Sequence, residues 1–362
     1  MNPRKLKVAV LGTGNIGVAI SADLSLLGHN DVYLIKTSSI SSSVYDSIRA
    51  NHNRVVLKEN GKYAPVVLTD VSEDIEKVTD CDVVFITIQS TYHESLIKRI
   101  SKFLHKEQIV ICICSYLSSL YFQKYCLSMP VIVETTGPYL EGRVDTNDIP
   151  GEIIFRVGCR LSRSPLSIFG STNQEYCMNI LHKLYKGFSD DYSPIESALL
   201  NPNMVLHTVG AIMSIPRIEY SEGNFCMYRE AYTRKNEATM KIMFGLDEEK
   251  KKVLAKLCGR SIDIFKAGGF LGDPLESFYR YSESSDRAIS PTSVQSRYIT
   301  EDVSQGLVLL ESIAHHIGIQ VPLTSSLITI ASQALGVDFR STGRTVERLG
   351  AEEFIDNCNK KS

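Results

Sequence analysis

Gly12-Thr13-Gly14-Asn15-Ile16-Gly17 has the G-x-G-x-x-G spacing, which can hold a phosphate ester on main-chain N–H groups. Its context gives the pattern weight. Lys7-Val8-Ala9-Val10-Leu11 before it reads as an apolar strand, Val18 to Leu27 after it as a helix stopped by Gly28, and Asp31 to Ile35 as a second strand. In such a unit Gly12 permits the tight turn, Gly14 lets the backbone approach a pyrophosphate, and Gly17 lets the helix pack on the sheet. Thr13, Asn15 and Ile16 complete a dinucleotide-binding turn whose anion rests on the helix N-terminus. The second strand ends in Lys36-Thr37-Ser38-Ser39, with no acid. A carboxylate there would bond the ribose 2′-hydroxyl of NAD. Lys36 and Ser38 instead suit a 2′-phosphate through charge-assisted hydrogen bonds, so NADP(H) is the expected cofactor and NAD the alternative. Gln89, after a third apolar strand at Asp82 to Ile88, is a further cofactor candidate.

Two segments of the second half carry the other candidate chemistry. They are Asn201-Pro202-Asn203-Met204-Val205-Leu206-His207 and Arg297-Tyr298-Ile299-Thr300-Glu301-Asp302-Val303-Ser304-Gln305-Gly306-Leu307-Val308. Further distinctive stretches are Arg217-Ile218-Glu219-Tyr220, Phe225 to Glu230, and Gly343 to Gly350. With the glycine turn, these resemble the octopine/nopaline (opine) dehydrogenase family over nearly the whole chain. The Asn-Pro-x₄-His and Arg-Tyr-x-x-Glu-Asp-Val elements are the specific part. The resemblance implies a reductive joining of an amino acid's amino group to a 2-keto acid with NAD(P)H, and the reverse. It also implies that His207 is the catalytic acid/base, Asp302 its orienting partner and Arg297 the carboxylate-binding group. Asn201, in the same motif as His207, is a candidate substrate contact. So is Tyr139, in Thr135-Thr136-Gly137-Pro138-Tyr139 after a strand end, although loop structure is the simpler account of that segment. Two positions depart from the family's pattern: Thr208 and Ser304 stand where a proline is often found.

These residue types suit the chemistry on their own terms. Imine or carbonyl reduction needs a proton donor beside the reacting carbon. Histidine titrates near neutral pH, and a carboxylate can fix its tautomer. A planar guanidinium grips a carboxylate in a two-pronged fork. The plainer readings are a core histidine and an ordinary Arg297–Asp302 ion pair at a helix start. Two other functions compete. One is a ketopantoate-reductase-like NADPH-dependent keto acid reductase, whose usual general acid is a lysine that no comparable motif supplies here. The other is a non-enzymatic NADP-binding module.

The elements around these residues change character part-way along the chain. Near-continuous apolar strands separated by helices, including Ile109 to Ile113 and Val131 to Thr135, predict an α/β Rossmann-type, doubly wound parallel sheet. Val55 to Leu57 and Val66 to Leu68 around Asn60-Gly61 read as a hairpin with a turn longer than two residues. After about Gly187 the periodicity turns helical at Leu199 to Met213, Asn224 to Phe244, Glu248 to Leu257, Ser304 to Ile317 and Leu323 to Leu335. This predicts a dinucleotide-binding domain over 1–188 and a mostly α-helical catalytic domain over 189–362. The polar stretch Phe188 to Pro194 forms the boundary.

Composition bounds the partners. The 39 basic and 41 acidic side chains give a net charge of −2, which leaves no electrostatic footprint for nucleic acid or an acidic membrane surface. The longest apolar stretch, Ile109 to Leu117, is far short of the roughly 20 residues a membrane span needs. The start, Met1-Asn2-Pro3-Arg4-Lys5, carries no signal-peptide core. Nine cysteines at irregular spacing read as reduced thiols, and His315-His316 diverge by about 100° on a helix and cannot chelate one ion, so no metal is expected. A cytoplasmic enzyme of small-molecule substrates follows, with a homodimer compatible with the sequence.

Overall fold

The apolar runs of the first half become strands for the reason the sequence suggests: β-branched residues with no polar face pack only inside a sheet covered on both sides. The computed structural model describes residues 4–170, 173–284 and 290–361. It divides the chain into two units between Pro194 and Ile195.

Among the described residues the first unit has twelve strands: β1 (Leu6–Leu11), β2 (Asn30–Ile35), β3 (Arg54–Glu59), β4 (Lys62–Val67), β5 (Asp70–Ser72), β6 (Val83–Ile86), β7 (Ile109–Ile113), β8 (Val131–Thr135), β9 (Leu140–Asp145), β10 (Ile154–Arg160), β11 (Ser164–Phe169) and β12 (Phe188–Asp190). Its helices are α1 (Asn15–Leu26), α2 (Ser43–Ala50), α3 (His93–Ile100), α4 (Ser119–Tyr125) and α5 (Gln174–Leu184). Eight strands form the main sheet in the order β12-β11-β8-β7-β6-β1-β2-β5. All its pairs are parallel except β11 with β8. The order reverses at β1, so the glycine turn leaves the sheet at the switch point where α/β proteins bind ligands. Val8, Val10, Val18, Ile20, Leu34, Phe85 and Ile111 are fully buried in its core.

Three features differ from the sequence reading. Asn60 and Gly61, at φ 50° and 75°, form a two-residue turn between Glu59 and Lys62, shorter than expected; both residues take the positive φ that a tight hairpin turn requires. That hairpin belongs to a second sheet, β4-β3-β10-β9, which packs against α1. The domain division falls after residue 188, because Phe188–Asp190 pairs in parallel with β11 and so completes the first unit.

The second unit is helical. α6 (Pro194–Leu199) opens at the division and is followed by α7 (Asn203–Ile212), α8 (Ile215–Ser221), α9 (Met227–Ala231), α10 (Glu237–Cys258), α11 (Ile264–Ala267), α12 (Pro274–Glu283) and α13 (Arg297–Glu301). A π-helical turn, Asp302–Leu307, joins α13 to α14 (Val308–His316). Then come α15 (Pro322–Leu335), α16 (Phe339–Thr342), α17 (Val346–Leu349) and α18 (Glu352–Lys361). Two expected helices are divided differently. Pro202, which has no N–H to continue a helix, separates α6 from α7. The Asn224 to Phe244 reading breaks at Asn236, whose side chain accepts from Thr239 N, and α10 then runs unbroken through Glu248 to Cys258. Among the described residues no single helix is long and apolar enough to cross a membrane, although the bent pair Pro194–Ile212 and Ile215–Ser221 passes that test together. α7 is buried from Met204 to Ile212, as befits a helix apolar on every side.

Candidate active site

The glycine turn is shaped for a phosphate. Gly12 has φ +122°, and a Cβ there would meet Ile88 Cγ2 at 2.8 Å and Thr87 Oγ1 at 2.9 Å. A Cβ on Gly17 would lie 1.7 Å from the Gly12 carbonyl oxygen, so α1 can approach β1 this closely only without a side chain. Gly14 is different: among the described residues, nothing lies within 4 Å of where its Cβ would be. It is the N-cap of α1, with no side-chain cap and no acid in the first turn. The first N–H groups of α1 are therefore available to an anion, and the residues fit a dinucleotide. Thr13 and Ile16 are half-buried beside them. Asn15 has a structural duty as well: its Oδ1 accepts from Val144 N at 2.8 Å and fastens the second sheet to α1. Gln89 and Ser38 are exposed on the segments that follow β6 and β2.

Lys36 is less simply placed than the sequence reading supposed. It is 7% exposed, and its ammonium donates to Glu73 Oε1 at 2.8 Å. The register explains this, since Ile35 pairs with Ser72 and sets Lys36 beside Glu73. An acid absent from the end of β2 thus arrives from the neighbouring strand. A second cation stands close by: Arg99 Nη1 donates to the Thr37 carbonyl at 2.7 Å.

In the helical unit the structure brings together residues 95 apart: His207 Nδ1 and Asp302 Oδ2 lie 2.8 Å apart. Both are buried, at 4% and 1% exposure. A carboxylate so far from water holds its charge only against a partner, and a hydrogen-bonded imidazole that can become imidazolium is one. α7 supplies His207 at its middle. The π-helical turn supplies Asp302 at its first residue, and such turns recur at functional positions. The turn is stapled from the C-terminal segment: Arg344 N donates to the Ser304 carbonyl at 2.8 Å, and Arg344 Nε to Gln305 Oε1 at 3.0 Å. The two departures from the family pattern turn out to be helix-satisfied hydroxyls. Thr208 Oγ1 donates to the Met204 carbonyl at 2.6 Å and Ser304 Oγ to the Thr300 carbonyl at 2.6 Å.

The remaining expected residues divide. The Arg297 side chain is 45% exposed, and its guanidinium lies 3.8 Å from Glu301 Oε2, one helical turn on. Asn201 is buried, and its Oδ1 accepts from Asn203 N at 3.0 Å, which shapes the start of α7. Tyr139 is corrected. It is fully buried in the first unit, stacked on Tyr185 at 4.2 Å, and its hydroxyl donates to Asp23 at 3.1 Å, so it offers no surface to a substrate.

Comparison with known proteins agrees with this geometry. The family model for the NAD/NADP octopine/nopaline dehydrogenase α-helical domain matches residues 191–335, the segment that holds both His207 and Asp302. Vitopine synthase of Allorhizobium ampelinum is 25% identical over 95% of both chains, and an opine dehydrogenase of Arthrobacter sp. is 24% identical over 94% of both. The chain is thus similar to opine dehydrogenases over nearly its whole length, and its helical unit matches their α-helical domain. Solved family structures share its fold. Octopine dehydrogenase with NADH and L-arginine superposes with a TM-score of 0.74 at 16% identity, covering 99% of each chain. NADP+-bound yersinopine dehydrogenase gives 0.72 at 13%, again over 99% of each. The ketopantoate reductase PanE/ApbA model matches residues 8–114 alone, which lie within the nucleotide-binding unit.

Sequence reasoning missed two residues at these sites. Tyr298 stacks on the His207 ring, centroids 3.7 Å apart. Its position four residues before Asp302 was the signal available, because residues i and i+4 share a helix face. Glu73 carried no such signal, since only strand register sets it beside Lys36.

Proposed function

We propose that this chain is an NAD(P)H-dependent opine dehydrogenase that condenses the amino group of an amino acid with a 2-keto acid, reduces the imine, and runs the reverse oxidation. The observation that carries the reading is the buried His207–Asp302 pair within the family's helical domain. Gly12, Gly14 and Gly17 would hold the cofactor's pyrophosphate on the N-terminus of α1, with Thr13, Asn15 and Ile16 completing the turn. When bound, the reduced nicotinamide supplies a hydride to carbon.

The protein's own groups handle protons and charge. With Nδ1 committed to Asp302, proton exchange falls to His207 Nε2. His207 takes a proton from the incoming ammonium, freeing the amine to attack the keto carbon. As the amine adds, one of its protons passes to the keto oxygen to give a carbinolamine; His207 then returns the first proton to that hydroxyl, which leaves as water and generates the iminium that accepts the hydride. Asp302 stabilises the imidazolium between these two events. Arg297 would fork onto the keto acid carboxylate. Asn201 acts chiefly by setting the start of the His207 helix.

Substitution of His207 tests the reading. His207→Ala should lower kcat on the order of 10²–10⁴-fold, the usual worth of general acid–base catalysis. A variant with near-normal kcat would move the proton donor elsewhere and defeat the assignment.

A further inference from the structure

Tyr298 lies face to face with the His207 imidazole, the centroids 3.7 Å apart and the planes 7° from parallel. On the same helix face, Asp302 meets the imidazole at its Nδ1 edge. The two contacts constrain the ring in different directions. A hydrogen bond to Nδ1 acts in the ring plane. It sets the tautomer but leaves the plane able to tilt about the Nδ1···Oδ2 line. A stacked ring acts along the perpendicular and removes that tilt. Tyr228 adds an edge-on contact at 6.4 Å and 76°. Neighbouring Arg297 lies over the Tyr298 ring, its guanidinium carbon 5.7 Å from the ring centre.

We propose that Tyr298 is a positioning residue: its ring holds the plane of the His207 imidazole so that Nε2 delivers its proton along one fixed direction. The aromatic face, negative at its centre, also favours the imidazole in its cationic form during the proton-holding step. The proposal rests on the reading of His207 as the acid/base, and the two can fail separately.

The test compares three enzymes by steady-state kinetics. His207→Ala first establishes that the histidine matters. Tyr298→Phe keeps the stacking ring, so its kcat should stay within about threefold of the parent, while Tyr298→Leu removes the ring and should lose about tenfold or more in kcat, as small misplacements of a reacting group do. KM for NAD(P)H should not move in either, because the cofactor is held by the other unit. If the leucine variant melts early, Tyr298→Met, which fills similar volume without a ring, takes its place and should show the same loss. Leucine or methionine variants as active as the phenylalanine variant would overturn the proposal while leaving His207 in its role. Equal losses in the phenylalanine and leucine variants would also overturn it, by assigning the effect to the hydroxyl.

Discussion

At the scale of single residues, the chemistry depends on how each charge is answered. Asp302 is 1% exposed and answered by His207. Asp302→Asn keeps the shape, but its amide can offer an N–H to Nδ1 and trap the wrong tautomer. Stopped-flow and steady-state assays should therefore show a fall of about 10²-fold or more in kcat with cofactor KM unchanged. Arg297 is exposed, and in the proposed reaction it binds the keto acid carboxylate, so Arg297→Ala should leave kcat nearly intact and raise KM for the keto acid about tenfold or more, the worth of a charge-assisted hydrogen bond. Glu73 holds the Lys36 ammonium. Glu73→Gln should release the ammonium and raise the NADPH-to-NADH ratio of kcat/KM by about tenfold; an unchanged ratio would show that Lys36 does not read the 2′-phosphate. His207 and Asp302 were legible because their motifs are compact in sequence. Glu73 was not, because it meets Lys36 only through the β2–β5 register across 37 residues. Tyr139 misled for the opposite reason: its position after a strand end resembles a ligand edge, but its ring is consumed by packing.

At the scale of elements, glycines decide which backbones can meet. Gly14→Ala puts a methyl into open space, so the melting temperature should hold while KM for NAD(P)H rises. Gly17→Ala drives a methyl to 1.7 Å from the Gly12 carbonyl, so it should destabilise the fold by about 1–3 kcal/mol or more. Gly343 plays the same part for the π-helical turn, where a Cβ would lie 2.6 Å from the Ser304 carbonyl. Gly343→Ala should push the turn that carries Asp302 and lower kcat without altering cofactor affinity. The main-sheet strands were readable because they are apolar on both faces. The second sheet was readable only in its β3–β4 hairpin: β9 and β10 mix Glu141, Arg143, Asp145 and Arg156 with apolar residues and bury little of their length. Helix divisions in the second unit depended on Pro202 and Asn236, single residues inside otherwise continuous periodicity.

At the scale of the whole molecule, the proposed reaction is divided between two units: one would hold the hydride donor, the other the proton carrier and the carboxylate-binding group. The sequence places the change from strand to helix periodicity in Phe188 to Pro194, and the structure divides its two units at the end of that stretch, after the edge strand Phe188–Asp190, which is as polar as a linker. The division also means that changes at His207, Asp302, Arg297 or Tyr298 should leave NAD(P)H binding intact by fluorescence titration. In the proposed reaction, reduction requires an amine. The direct measurement is oxidation of NADPH and NADH at 340 nm with pyruvate, with and without a pool of amino acids, followed by mass spectrometry of the product. The account predicts oxidation only when an amino acid is present, and a product whose mass is that of amino acid plus keto acid, less water, plus two hydrogens. Oxidation by pyruvate alone, yielding a hydroxy acid, would contradict it.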